Sequence, residues 1–289
     1  MTTPAPEVSA PAGPAASPLV DPAGYDPATD HLTVERPSDG VVLVTLTNPE
    51  RRNAMSGPMS ASWRRLTAAL AADRTVRCVV VTGAGRAFCS GGDIGWIGAE
   101  PHASVEELRA RMLPFYEGWL SLRRVEVPTI AAVNGPAVGA GACVALACDL
   151  RYAGESASFS VPFTSLGMHP GMATTYLLPQ VVGPAVARDL LLTGRRVGAE
   201  EMVRLGLASA TYGDAELLDR VLETARGIAA AAPVATRLTT VALRDGGHAS
   251  FGQALQWEAL AQSVTLATED LQEGLAAARE RRPPRFTGR

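Results

Sequence analysis

Residues 129–148 read Thr-Ile-Ala-Ala-Val-Asn-Gly-Pro-Ala-Val-Gly-Ala-Gly-Ala-Cys-Val-Ala-Leu-Ala-Cys, and how this stretch divides decides the fold. It is apolar almost throughout, has about the ~20 residues a membrane span needs, and carries Gly135 and Gly139 at the spacing of a helix-pairing pattern. Asn134-Gly135-Pro136 breaks it in the middle. A proline cannot continue a helix, and the flanking side chains are small rather than Leu- or Ile-rich. The stretch therefore reads as a buried strand over 129–133, a turn, and a buried helix over 139–147, with no membrane span.

The same alternation extends on both sides. Val41–Thr47 is a β-branched run ending at Asn48-Pro49, a strand and a turn. Pro58, Trp63, Leu66 and Leu70 predict a helix to about Ala72, and Arg77–Thr82 a second apolar strand closed by Gly83-Ala84-Gly85. Ser104 with Glu107 predicts a capped helix through Leu108, Met112, Phe115, Trp119 and Leu122, stopped by Pro128. Asp149–Ala153 is a further strand, and a helix begins near Met172. Strands alternating with helices imply an α/β body on a largely parallel sheet. From Asp214 on only helical periods remain: 217–231, 234–243, 251–266 and 270–280. The expected organisation is a Pro/Ala-rich tail over 1–31, with seven prolines from Pro4 to Pro27, an α/β core over 32–213 and a helical region over 214–289.

Composition excludes several chemistries. The chain has 289 residues and a net charge of −3, which gives no basis for nucleic-acid binding. All 26 basic residues are arginine. Without lysine there is no Schiff-base anchor, P-loop lysine or kinase strand lysine. Cys78, Cys89, Cys143 and Cys148 form no C-x-x-C pair and flank no histidine at metal-ligand spacing. A reduced, cytoplasmic protein is expected, and no basic residue before Arg36 suggests a targeting leader.

Two glycine-rich turns follow apolar strands: Gly85-Arg86-Ala87-Phe88-Cys89-Ser90-Gly91-Gly92-Asp93-Ile94 and Asn134-Gly135-Pro136-Ala137-Val138-Gly139-Ala140-Gly141. Residues without side chains allow close backbone approach, and free N–H groups at a helix start stabilise an anion or a developing oxyanion. Two such turns could pinch one carbonyl oxygen. Either could equally be a tight connection. Neither fits a dinucleotide fingerprint, and no G-x-S-x-G elbow is present.

These turns, with Asn48–Met55 and Leu191-Leu192-Thr193-Gly194-Arg195-Arg196, resemble the crotonase (enoyl-CoA hydratase/isomerase) superfamily from about Val41 to the C-terminus. The resemblance implies a spiral of ββα turns, a helical trimerisation region giving a homotrimer or dimer of trimers, and a site for an acyl-CoA thioester. Coenzyme A is then part of the substrate, and no tightly bound cofactor is expected. The thioester carbonyl would sit between the amides of Gly92 and Ala140. Arg51, Arg52, Ala54, Met55, Ser90, Asp93 and Ile94 would line the coenzyme A path, and Arg282 and Phe286 would reach a neighbouring subunit's adenine and phosphates.

The departures from the family pattern define the question. The two hydratase glutamates fall on Cys143 and Phe163, and a third acidic position used by other members falls on Gly171. Hydration by a glutamate pair is therefore not supported. His169 is the candidate acid or base, against a histidine satisfied by backbone. Cys143 reads as a core thiol before a nucleophile, and Asp93 as a turn or cap residue. Trp96, Met112, Phe115, Tyr116 and Trp119 either wall an acyl pocket or are plain core; His31, His102 and His248 receive no role. The expected activity is a lyase or isomerase that stabilises a thioester enolate. The alternatives are a non-catalytic acyl-CoA carrier, or a thioester hydrolase or decarboxylase.

Overall fold

The computed structural model describes residues 31–93, 95, 98–100, 102–244 and 250–289. The tail over 1–30, Ile94, Trp96 and His248 lie outside the described residues. The elements in chain order are β1 (Leu32–Ser38), β2 (Val41–Leu46), α1 (Gly57–Ala72), β3 (Cys78–Gly83), α2 (Val105–Trp119), β4 (Thr129–Val133), β5 (Pro136–Val138) and α3 (Ala140–Ala147). They continue with β6 (Leu150–Gly154), β7 (Ser158–Ser160), α4 (Thr174–Thr193), β8 (Val197–Gly198), α5 (Ala199–Arg204) and β9 (Thr211–Tyr212). The chain ends with α6 (Leu217–Ala229), α7 (Pro233–Arg244), α8 (Phe251–Leu266) and α9 (Glu269–Glu280).

The larger sheet runs β1-β2-β3-β4-β6-β9, and the smaller one β5-β7-β8. Only β1 runs antiparallel to its neighbour in the large sheet. Residues 129–148 divide as expected, into β4, a turn carrying β5, and α3. No described helix is long and apolar enough to cross a membrane.

The continuous apolar strands follow from burial on both faces. Val42, Val44, Leu46, Val79, Val81, Ala131 and Val133 point into one core with α1, α3 and α4. Their alternates Val41, Leu43, Cys78, Val80, Ile130 and Ala132 pack against Leu217, Val221, Leu222, Ala225 and Ala229 of α6. Period two on each strand thus feeds two clusters.

Each turn of the chain places one strand in the large sheet, a short extended segment on the smaller one, and then a helix. β4, β5 and α3 make one such turn; β6, β7 and α4 make the next. The preceding turns join the same stack through parallel bridges, Cys89 to Ala137 and Met55 to Gly92. α2 begins with Ser104, whose hydroxyl accepts from Glu107 N while the Glu107 carboxylate accepts from Ser104 N, as the sequence predicts.

Candidate functional site

The two glycine-rich turns lie against each other. Cys89 N donates to Pro136 O at 3.2 Å and Val138 N to Cys89 O at 2.9 Å, fixing the pairing of Cys89 with Ala137. Three residues further along each segment stand Gly92 and Ala140. Each is preceded by a glycine in the left-handed region, Gly91 at φ +94° and Gly139 at φ +54°, a conformation glycine adopts without steric cost. A Cβ on Gly91 would lie 3.2 Å from Ala140 N and 2.7 Å from Val138 O, and one on Gly141 only 2.2 Å from Cys89 O. The approach is backbone to backbone and admits no side chain. Ala140 opens α3, where the first-turn amides have no intrahelical acceptor. Among the described residues, none supplies an acceptor for the Gly92 or the Ala140 amide.

Two asparagines hold this arrangement. Asn53 is fully buried; its Nδ2 donates to the carbonyls of Ala84, Ala87 and Phe88, and its Oδ1 accepts from Asn48 N. Asn134 accepts from Gly83 N at 3.1 Å and donates to the carbonyls of Gly83 and Gly85. Sequence reading missed both roles. The only signal was an asparagine beside each set of turn residues.

The expected coenzyme A path is assembled from two separate segments. Met55 N donates to Gly91 O at 2.8 Å and Ser90 N to Arg52 O at 3.0 Å. Arg51 pairs with Asp93 at 2.9 Å. Arg51 and Arg52 are exposed, Ala54 is half-buried, and Met55 is buried in the core. Asp93 also accepts from Gly95 N at 2.9 Å, so it holds the turn.

Arg282 and Phe286 are elsewhere. Arg282 pairs with Glu273 and Glu280, each at 2.6 Å, and Phe286 packs on Gly274. Arg77 donates to Phe286 O at 2.9 Å, which puts the tail at the start of β3, whereas the glycine turns follow its end. A six-residue strand separates the two by about 17–20 Å. One chain alone does not bring them together.

The three positions that the resemblance assigns to acids do converge. Phe163 is half-buried, and its Cζ lies 3.9 Å from a Cβ built on Gly139. Cys143, one turn into α3, sits with Sγ 2.8 Å from Thr174 Oγ1, 3.1 Å from Gly139 O and 3.9 Å from Gly171 O. Burial pushes its thiol pKa up to about 12. It is a closed core thiol and no nucleophile at working pH. Cys78, Cys89 and Cys148 are likewise buried and free.

His169 is exposed, its Nδ1 2.9 Å from Pro170 O. A carbonyl can only accept, so Nδ1 carries the hydrogen and Nε2 presents the lone pair of the neutral ring. Trp119 is core: its ring stacks on Trp63 at 5.0 Å and its Nε1 donates to Ser60. Met112, Phe115 and Tyr116 are half-buried on α2. His31 contacts Ser56, and His102 is exposed. Among the described residues no cluster of His, Cys, Asp and Glu could hold a metal ion.

Stacked ββα turns of this kind define a class of proteins, and similarity to known proteins identifies it. The family model for enoyl-CoA hydratase/isomerase matches residues 36–289. The chain is 39% identical over 267 residues to a probable enoyl-CoA hydratase, EchA12, of Mycobacterium leprae, covering 90% of each. It is 44% identical over 209 residues to the probable enoyl-CoA hydratase EchA14 of Mycobacterium tuberculosis, covering 72% of this chain and 78% of that one. Among solved structures, an enoyl-CoA hydratase from Bacillus anthracis superposes with a TM-score of 0.85 at 31% identity, over 90% of this chain and all of that one. A putative enoyl-CoA hydratase from Streptomyces coelicolor A3(2) gives 0.84 at 37% identity, over 94% and all. The fold is the crotonase fold, and the chain belongs to the enoyl-CoA hydratase/isomerase family.

Proposed function

We propose that this protein binds an acyl-CoA thioester and stabilises its enolate between the amides of Gly92 and Ala140. One observation carries the reading. Cys89 pairs in parallel with Ala137, and a left-handed glycine two residues beyond each partner turns out the next amide, for which no described residue supplies an acceptor. Donors fixed before reaction need no reorganisation as charge develops on the oxygen, and one such donor is worth ~3 kcal/mol.

Arg51, Arg52, Ala54, Met55, Ser90, Asp93 and Ile94 would carry the coenzyme A. Arg282 and Phe286 would serve a neighbouring copy, since within one chain they lie at the opposite end of β3. α8 supports that assembly: none of its described residues is buried, and Phe251, Leu260 and Leu266 are 80%, 63% and 56% exposed. A homotrimer, or a dimer of trimers, would cover this face. Four free thiols suit the reducing cytoplasm.

His169, through Nε2, is the proposed proton carrier. A carrier that binds acyl-CoA without turnover is the second reading, favoured by the sealed Cys143 thiol and the Phe163 ring where carboxylates would stand; release of free coenzyme A would instead mark a hydrolase.

The test combines binding with turnover on a mixed acyl-CoA panel, with ligand and product read by mass spectrometry. Ala140→Pro removes one amide at a first helical position, which tolerates proline, and is expected to lower turnover by about 10²–10³. His169→Ala is expected to lower turnover with little change in thioester affinity. Binding without product in the wild type selects the carrier reading, and no thioester binding at all defeats both.

A further inference from the structure

Among the described residues, Tyr116 is the one polar group at the convergence of Cys143, Phe163 and Gly171 whose side-chain hydrogen-bonding capacity is unused. Its half-buried ring projects from α2 and meets Phe115 edge-on at 6.2 Å. A Cβ added to Gly171 would lie 2.5 Å from Tyr116 Oη. The hydroxyl therefore occupies the space that a side chain at 171 would fill.

Its polar neighbours are all engaged. Cys143 and Thr174 meet each other, and both reach Gly171 O. No described residue donates to or accepts from Tyr116 Oη. Burial, with the nearby Cys143, raises the phenol pKa above its usual value. The group stays protonated at working pH and remains a donor.

Cys143 stands one turn of α3 beyond Ala140, its Sγ is 3.9 Å from Gly171 O, and Tyr116 Oη fills the space beside the same Gly171. A chain of contacts thus leads from the Ala140 amide to the phenol.

We propose that Tyr116 makes this a site for oxygenated acyl groups: its phenol donates to a hydroxyl or carbonyl oxygen on the acyl chain of the thioester held by Gly92 and Ala140. The inference rests on the thioester reading and names its substrate class. A hydrocarbon chain that displaces water from Oη leaves a desolvated donor unpaired, whereas an oxygen on the chain satisfies it. Sites built to meet a hydroxyl reject the analogue that lacks it.

The experiment is calorimetric binding of saturated acyl-CoA thioesters against their β-hydroxy, β-oxo and γ-hydroxy counterparts of matched length. The wild type should bind the best oxygenated member at least about tenfold tighter than its saturated counterpart. Tyr116→Phe, which keeps the ring, should shrink that ratio to about twofold or less, with saturated thioesters bound more tightly than by the wild type because no donor is left unpaired. Gly171→Ala should erode it too, by displacing Oη while leaving the phenol in the chain. A wild type with no preference, or a preference that survives Tyr116→Phe, overturns the role of Tyr116 and leaves the thioester site standing. A wild type that binds no thioester instead defeats the reading on which it rests.

Discussion

Asn53 satisfies four backbone groups with one amide, in a fully buried position and at φ +55°. Asparagine tolerates the left-handed region better than most residues, and its amide offers two donor hydrogens and an acceptor together. Asn53→Asp sets an acceptor-only group against three carbonyls. We expect a loss of about 3 kcal/mol or more, read as a lowered urea midpoint; an unchanged midpoint would show that the turn is held by other means. Sequence alone made the glycine turns legible because close backbone approach demands a particular residue type. It could not reveal the clasps made by Asn53 and Asn134, and it offered Tyr116 only as a possible wall of an acyl pocket or plain core. Their roles depend on partners in other segments, and an asparagine or tyrosine looks the same on a surface as in a clasp.

At the scale of elements, the C-terminal tail is held by charge. Glu273 takes Arg282 through both carboxylate oxygens and accepts from Arg285 N. Those bonds hold its pKa down to about 2. Asp270 accepts from Thr287 N and Gly288 N. A carboxyl depressed on folding contributes stability that is complete above the ordinary value of 4.5 and is lost as pH falls toward about 2. Residues 281–289 should therefore loosen in that window and in high salt, seen as faster amide exchange after correction for intrinsic rates, while β3 and β4 stay protected. Loosening at neutral pH and low salt would contradict the clasp. Long periodic elements were readable: Val41–Leu46, Gly57–Ala72, Thr129–Val133 and Phe251–Leu266 lie within a residue or so of expectation. The small sheet was not, because strands of two or three residues carry no period. Nor was the extent of α4, where Pro179, Gly183 and Pro184 interrupt the helical pattern, Gly183 standing at φ +75°. β1 hid behind Pro37, tolerable on an edge strand.

For the whole molecule, the exposed face of α8 is the feature that one chain leaves unresolved. Leu260 and Val264 are 63% and 46% exposed and one helical turn apart. Light scattering should find a multiple of 30.1 kDa; Leu260→Glu with Val264→Glu should return the monomer and weaken thioester binding, because Arg282 and Phe286 would lose their neighbour. A wild type of 30.1 kDa at micromolar concentration would remove the proposed assembly. The expectation of a trimerisation region came from the family resemblance; the periods after Asp214 say only that the region is helical, as it is.

The arginines that close the molecule act over long separations. Arg77 waits for Ala229 O and for Phe286 O, 209 residues later, and Arg237 returns to Val76 O. Arg244 reaches back to Asp149 and to the carbonyls of Arg123, Val125 and Val127. On the ribosome each of these contacts stays open until its later partner has left the exit tunnel. A nascent chain can stack its spiral turns early, yet until then it presents unsatisfied carbonyls and the apolar rim of β2–β4, and is most exposed to chaperones and proteases.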